Sequence, residues 1–213
     1  MRHFLLTLTV LIFWAVVVPA QTFYGTDDVK AFREGRDREF RNRNESPLKK
    51  EDFDEFRGLN YFPPDEGFRV SAGFRRTEDE LYFLMPTSSG KLKKFIKYGI
   101  LDFKLEGRQF FLNVYQIDPR IREKYPEYAD LLFIPFKDRT NGAETYGGGR
   151  YLDIRIPKGA EEVKLDFNLA YNPNCAYGSD RYNCPIPPKE NFLKTEIRAG
   201  EKAFPPAEAK AEH

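Results

Sequence analysis

The sequence predicts a mainly β, single-domain fold, an antiparallel barrel or sandwich with short N-terminal helices. From Phe68 onward apolar residues recur at every second position, the pattern of a strand with one buried face. Turns containing Gly and Pro separate these segments, and seven or eight short strands joined in this way are typical of a barrel or sandwich. Aromatic residues, mostly Phe and Tyr, make up 15% of the chain, which also favours strands.

The alternating pattern places each expected strand. The segments are 68–74, 81–85, 95–105, 110–117, 133–136, 151–156, 163–169 and, as a final strand, 192–197. Glu106-Gly107-Arg108 joins the third and fourth segments and is a tight hairpin signal. The sequence therefore predicts a chain of neighbouring antiparallel strands.

Helical spacing replaces alternation near the N-terminus. Residues 27–43 are dense in charge, with Val29, Phe32, Arg36 and Phe40 near one face, which predicts a surface helix with a thin apolar stripe. Ser46-Pro47 is typical of the start of a second, short helix. A charge run of this kind is usually a solvated face, so we assign it no function.

Residues 1–20 predict a signal peptide. Arg2 precedes an apolar run of about fifteen residues, short of the roughly 20 that span a bilayer, and the run closes on Val18-Pro19-Ala20. We expect cleavage after Ala20, export to the periplasm or beyond, and no stable membrane span afterwards; an uncleaved anchor is the alternative. We divide the rest into an N-terminal helical segment (21–66), a β-rich domain (67–204) and a disordered tail (205–213).

Charge and histidine content exclude several classes of function. Without residues 1–20 the chain holds 33 basic and 33 acidic residues, a balance that argues against a nucleic-acid partner. The two histidines are His3 and His213, so Ser-His-Asp or Cys-His catalysis and His-ligated metal sites are not expected in the folded body. No metal or cofactor is expected, and the oligomeric state is not predicted.

Cys175 and Cys184 are the two cysteines, separated by eight residues. In an exported chain such a pair most simply forms a disulfide. By loop entropy the ring contributes roughly 2.5–3 kcal/mol to stability. Free thiols, a redox pair or a metal site are the alternatives, although the spacing lacks the C-x-x-C pattern of dithiol catalysts.

The run Tyr146-Gly147-Gly148-Gly149-Arg150 has two interpretations. Glycines let backbone N–H groups converge on an anion, but no GK[ST] ending follows, and a strand rather than a helix comes next. The alternative is a glycine turn with a positive φ before the strand at Tyr151.

Arg150 falls on the inward face of its predicted strand. A buried arginine needs a partner, and Glu144, Asp138 and Asp166 are the nearby carboxylates. Arg150 is then either half of an internal ion pair or the floor of a pocket for an acidic ligand, to which it would donate two hydrogen bonds.

Other polar residues offer a pocket or an acid–base site. Asp138, Glu144 and Asp153 are the candidate catalytic carboxylates, since two carboxylates in different environments can divide acid and base roles. Four further side chains either brace loops or line a polar pocket; they are Asn168, Tyr171, Asn172 and Tyr177.

Longer motifs in the second half carry a family resemblance. They are Phe136-Lys137-Asp138 with Thr140, Glu144 to Tyr151 (ETYGGGRY), Asp166-Phe167-Asn168, Ala170 to Pro173 (AYNP), Cys175-Ala176-Tyr177, Cys184 to Pro188 (CPIPP), Asn191 and Ala199-Gly200-Glu201. Weaker motifs upstream are Met85-Pro86-Thr87 and Gly99 to Phe103 (GILDF). In these motifs the chain resembles the DUF1684 family of uncharacterised bacterial and archaeal proteins. The resemblance implies a single domain and brings no established activity, cofactor or catalytic residue.

We expect an exported domain that binds a small polar or anionic ligand. Arg150 would be the anion donor, and the site would be completed by Tyr146, Gly147, Gly148, Gly149, Asn168, Tyr171, Asn172 and Tyr177. This expectation requires the loops 138–151 and 171–191 to meet at one end of the molecule. The alternatives are a histidine-free hydrolase or lyase that uses Asp and Glu, and a structural protein of the cell envelope.

Overall fold

The computed structural model describes residues 26–157, 159, 161–179 and 181–204. Within them the chain forms a curled antiparallel sheet of seven strands, a half-barrel accompanied by a few short helices. The predicted mainly β fold with short N-terminal helices is confirmed. The predicted signal peptide and C-terminal tail lie outside the described residues.

The strands follow the predicted order, and most neighbours in sequence also pair. The helices are α1 (Thr26–Arg41), α2 (Lys50–Phe53) and α3 (Pro119–Lys124). The strands are β1 (Arg69–Arg76), β2 (Phe83–Pro86), β3 (Leu92–Leu105), β4 (Arg108–Ile117), β5 (Leu131–Phe136), β6 (Arg150–Arg155) and β7 (Glu162–Asp166). The sheet order is β6-β5-β4-β3-β1-β7, and β2 also pairs with β3.

The longest hairpin shows how local sequence sets the register. Glu106 and Gly107 join β3 to β4 with φ of 50° and 74°, the left-handed conformation that a two-residue hairpin turn requires. The turn pairs Phe103 with Phe110, and their rings stack with centroids 6.0 Å apart. The predicted tight hairpin is confirmed.

Three apolar clusters hold the fold together. The largest packs along the sheet and includes Leu101, Phe103, Leu112, Ile134 and Phe136. A second joins α1 to the second half of the chain, where the ring of Phe40 meets that of Tyr177 edge-on at 4.6 Å. The third contains Met85, Phe95 and Tyr115. The last two clusters flank the candidate site described below.

The expected final strand, 192–197, is wrong. Its residues alternate between buried and exposed, as the pattern indicated, but a single bridge between Phe192 and Lys137 is its only strand-like pairing. Beyond that bridge its backbone bonds elsewhere: Thr195 O accepts from Arg139 N at 2.9 Å, and Ile197 O accepts from the Arg150 side chain at 2.8 Å. Alternation reports one buried face, which an extended segment has without joining a sheet.

Candidate functional site

A cavity of about 430 Å³ lies between the sheet, α1 and the disulfide-closed segment. Its wall is mostly aromatic and aliphatic, with side chains from the sheet and from the second half of the chain; they include Phe95, Ile117, Phe133, Tyr151, Tyr171 and Tyr182. Four charged side chains also line it; they are Arg36, Glu39, Lys93 and Asp153. A concave, mostly apolar space with a few polar groups is the usual form of a small-molecule site.

Strand register builds the floor of this cavity. Phe95 of β3 lies opposite Ile117 of β4, and Phe133 of β5 lies opposite Asp153 of β6. The Phe95 and Phe133 rings stack at 5.6 Å, and Phe133 meets Tyr151 edge-on at 4.7 Å. Because residues directly opposite one another share a face of the sheet, the aromatic floor and the Asp153 carboxylate are held together by the backbone.

Helix α1 brings Arg36 to the cavity. Its side chain is 13% exposed, and Nη1 donates to Glu39 Oε2 at 2.9 Å. The guanidinium carbon lies 5.0 Å from the Phe40 ring centroid and 5.2 Å from that of Tyr171, within the range of cation–π attraction. Nε and Nη2 are buried without a hydrogen-bond partner among the described residues.

Arg36 stays protonated and positively charged. Burial alone lowers the pKa of Arg36, but the electrostatic influence of Tyr177, Glu201 and Glu39 outweighs it and raises the pKa above its ordinary value. Arg36 is therefore a permanent cation with unsatisfied donors. From the sequence, the helix that carries Arg36 was assigned no function. The feature that could have indicated a site is an arginine within the apolar stripe, between Phe32 and Phe40.

Asp153 and Tyr171 form the acidic part of the cavity. Tyr171 Oη donates to Asp153 Oδ2 at 2.6 Å. Asp153 keeps solvent-accessible surface, while protein atoms crowd the rest of its side chain, and this desolvation raises the pKa of Asp153 to about 6. The Tyr171 hydrogen bond and the charges of Arg155 and Arg36 oppose the rise. Burial and the neighbouring carboxylate raise the pKa of Tyr171 well above its usual range.

The two predicted loop segments do meet. Tyr151 and Tyr171 exchange backbone hydrogen bonds of 2.8 and 3.0 Å, a bridge between β6 and the segment before the disulfide. Tyr151 Oη then donates to Pro185 O at 2.5 Å. Residues on both sides of the disulfide ring therefore line one wall of the cavity; they are Tyr171, Pro173, Asn174 and residues 182–185.

The predicted disulfide is confirmed. Cys175 and Cys184 are bonded, and Cys184 itself lines the cavity. Its closed ring packs against the turn that follows β2, where Ser88 N donates to Cys184 O at 2.9 Å. The covalent ring thus shapes one wall of the cavity.

Arg150 lies away from the cavity, in the interior. Its side chain and that of Asp138 are both 0% exposed, and Nη2 donates to Asp138 Oδ2 at 2.9 Å. The guanidinium also donates to three backbone carbonyls, those of Ile197, Ala199 and Glu201. Of the two predicted roles, this geometry matches the internal ion pair that braces the loops.

The triple glycine forms a turn beside this ion pair. Gly149 has φ of 95°, and a Cβ there would lie 2.7 Å from Phe136 O and from Pro187 Cγ, so only glycine fits. Tyr146, Gly147 and Gly148 belong to the same turn and do not line the cavity. Glu144 points to the surface, where it pairs with Arg198 Nε at 2.9 Å.

Three further predicted site residues brace the interior. Asn168 bonds the backbone of Asp65 through both its oxygen and its nitrogen. Asn172 and Tyr177 both donate to the buried carboxylate of Glu201, and burial raises the pKa of Glu201. Among the predicted ligand-binding residues, Tyr171 is the one that lines the cavity, and among the predicted catalytic ones it is Asp153.

In the described part of the chain, no group of three or more His, Cys, Asp or Glu side chains is placed to hold a metal ion. Among the helices of residues 26–204 that the structure describes, none is long and apolar enough to cross a membrane.

Comparison with known proteins gives a family and a fold. A family model described as "Protein of unknown function (DUF1684)" matches residues 54–202. The solution NMR structure of an uncharacterized protein of Haloarcula marismortui is 34% identical, with a TM-score of 0.66; the match covers 88% of this chain and 96% of that one. A search of curated proteins finds no significant match. Arg36 and Glu39 precede the range that the family model matches.

Proposed function

The chain belongs to the DUF1684 family, and we propose that it is an exported domain that binds a small polar or anionic ligand in the cavity beside α1. The observation that carries the proposal is the presence of a buried, permanently charged arginine in an aromatic cavity. Two donor nitrogens of Arg36 have no hydrogen-bond partner in the described part of the chain, and an unsatisfied buried donor costs about 1–3 kcal/mol. A ligand oxygen bonded there would recover part of that cost.

Export is the second part of the proposal. It is supported by the basic start, short apolar run and small residues of 1–20, and by the disulfide, which is typical of oxidising compartments. Expression of the full chain in a bacterium with a periplasm, followed by intact-mass analysis, tests it. We expect mature protein beginning at Gln21 in the periplasmic fraction; uncleaved chain in the cytoplasm would contradict export.

Binding is tested by thermal-shift screening of a panel of small polar metabolites against the protein and two variants. Arg36→Met removes the cavity charge at similar length. Arg33→Met is the matched control: Arg33 lies on the same helix, also stacks on a ring (Tyr61, 4.5 Å) and also has unpartnered Nε and Nη2 atoms, but it does not line the cavity. We expect ligands that stabilise the native protein to lose their effect with Arg36→Met and to keep it with Arg33→Met. Equal responses of both variants would contradict the assignment.

Asp153 supports a second candidate function, acid–base catalysis in the same cavity. Its pKa of about 6 lies near the working range of a general base. Asp138 and Glu144, the other predicted catalytic carboxylates, are each bonded to an arginine away from the cavity. A panel of chromogenic esters and phosphoesters tests this function. Turnover that rises with pH through about 6 and is abolished in Asp153→Asn would favour catalysis. If no substrate is turned over, ligand binding remains the proposed function.

A further inference from the structure

We propose that the ligand is a zwitterion with an apolar body, of the class of aromatic or large aliphatic α-amino acids. This inference rests on the proposed function and narrows it from a polar or anionic ligand to one that carries both charges. The carboxylate would lie against Arg36 and the ammonium group against Asp153, with the apolar side chain over the aromatic floor.

Charges of opposite sign meet at one tyrosine in this cavity. The Arg36 guanidinium carbon lies 5.2 Å from the Tyr171 ring centroid, and the Tyr171 hydroxyl bonds Asp153 Oδ2 at 2.6 Å. The two charged groups thus contact different parts of a single side chain. An α-amino acid carries its two charges on groups bonded to the same carbon, so one molecule can face both groups at once.

Each charged group retains capacity for a ligand. The guanidinium uses Nη1 for Glu39, and Nε and Nη2 have no partner among the described residues. The bond from Tyr171 uses Oδ2 of Asp153, and the residue keeps solvent-accessible surface. Lys93, also in the wall, is a second cation; burial lowers its pKa, and it makes no ion pair with the described residues. Charge-assisted bonds to such groups are the stronger kind.

The balance of charge favours a zwitterion over a simple anion. Two cations and two carboxylates line the cavity among the described residues. Above pH 6 the ionised Asp153 would repel a purely anionic ligand, and Arg36 and Lys93 would repel a purely cationic one. A zwitterion places each charge against its opposite.

The rest of the wall accounts for the apolar body. Phe95, Ile117 and Phe133 form a continuous apolar floor, and about 430 Å³ is at the lower end of the range of small-molecule pockets. Such a surface gains little from a small hydrophilic amino acid, because burial of apolar area supplies most of the binding free energy.

Calorimetric titration of the native protein at pH 7.5 with three matched probes tests the proposal. L-phenylalanine carries both charges, 3-phenylpropionate lacks the amine, and 2-phenylethylamine lacks the carboxylate. We expect L-phenylalanine to bind about tenfold tighter or more than either analogue, since each loses one charge-assisted bond. Equal or tighter binding of 3-phenylpropionate would overturn the zwitterion and leave the proposed anion-binding function standing. The zwitterion would also be overturned if none of the three probes bound while the metabolite screen gave ligands of another chemical class that depend on Arg36.

Two variants assign the charges. Asp153→Asn is expected to lower the affinity for L-phenylalanine about tenfold. The affinity for 3-phenylpropionate should stay the same or rise. Arg36→Met is expected to weaken both carboxylate probes and to spare 2-phenylethylamine, with Arg33→Met as the folding-matched control. If Asp153→Asn bound none of the three probes while its unfolding midpoint was unchanged, the assigned role of Asp153 would be contradicted.

Discussion

Two arginines, Arg150 and Arg36, divide the molecule into a braced region and an open one. Arg150 makes four hydrogen bonds, to Asp138 and to three carbonyls from 197–201, and no solvent reaches its side chain. Arg36 makes one, to Glu39, and otherwise stacks on rings at the cavity wall. Both are arginines within reach of carboxylates, yet the chain satisfies one almost fully and leaves the other with unused donors.

The difference between the two arginines indicates where a ligand would find a free hydrogen-bond donor. A buried guanidinium whose hydrogen bonds end on the protein's own carboxylate and carbonyls is destabilising to remove, and it has little to offer a ligand. One with free donors beside a cavity keeps its charge available. The motif that is most conspicuous in the sequence, the triple glycine before Arg150, therefore belongs to the braced region, and the candidate site belongs to the plainer helix α1.

The largest expected effect comes from Arg150→Met. It leaves the Asp138 carboxylate buried without its cation and three carbonyls without a donor, so we expect a loss of about 3–5 kcal/mol in the free energy of unfolding. Arg36→Met should cost no more than about 1.5 kcal/mol, because it removes one hydrogen bond and two ring contacts. Urea unfolding measures both, and equal losses would remove the distinction between the two regions.

The disulfide tests whether the open region needs a covalent support. Replacing Cys175 and Cys184 together with Ser should cost roughly 2.5–3 kcal/mol by loop entropy. Because Cys184 lines the cavity, ligand affinity should fall as well. Native protein treated with a reductant is the control and should show the same loss. Unchanged unfolding would mean that packing alone holds this segment.

Gly149 tests the braced turn against a glycine of similar backbone. Gly149 and Gly142 have φ of 95° and 86°, so alanine is strained at both. A Cβ at Gly149 would meet Phe136 O and Pro187 Cγ at 2.7 Å, whereas at Gly142 it would meet nothing within 4 Å. We expect Gly149→Ala to lose about 2 kcal/mol more than Gly142→Ala in urea unfolding. Matching losses would show that this turn relaxes freely.

The smallest effect concerns Asp153 and pH. Its folded pKa of about 6 lies above the ordinary value of 3.8, so the folded state holds its proton more tightly. The stabilising contribution is complete below about pH 4 and is lost as pH rises to about 6. Asp153→Asn should therefore be more stable than the native protein above pH 6, by less than about 1 kcal/mol because the carboxylate is solvent-screened. The difference should vanish near pH 4; one that grows on acidification would contradict the raised pKa.

The fold was predictable because a half-buried sheet imposes a period of two on its sequence. Strands β3 and β4 and their turn follow directly from alternation and from Glu106-Gly107. The segment 192–197 has the same alternation without forming a strand, because its carbonyls bond Arg139 and Arg150 in place of a neighbouring strand. Sequence pattern reports which face is buried, and it does not identify what the backbone bonds to.

The candidate site was predictable only in part. Tyr171 and Asp153 were identified from residue type, and they meet because Tyr151 bridges Tyr171 across the sheet edge. Arg36 was not, because a charged helix usually faces solvent and nothing local shows that Arg36 packs on Tyr171, more than a hundred residues away. Likewise the carbonyls that satisfy Arg150 come from about fifty residues downstream.

Amide chemical-shift mapping by NMR tests most directly whether the ligand site lies in the cavity beside α1. A ligand identified in the metabolite screen is titrated into labelled native protein. We predict that the largest shifts cluster around Arg36, Lys93, Asp153 and Tyr171, with little change at Tyr146–Arg150. Shifts centred on the triple-glycine turn, with the cavity residues unmoved, would contradict the account.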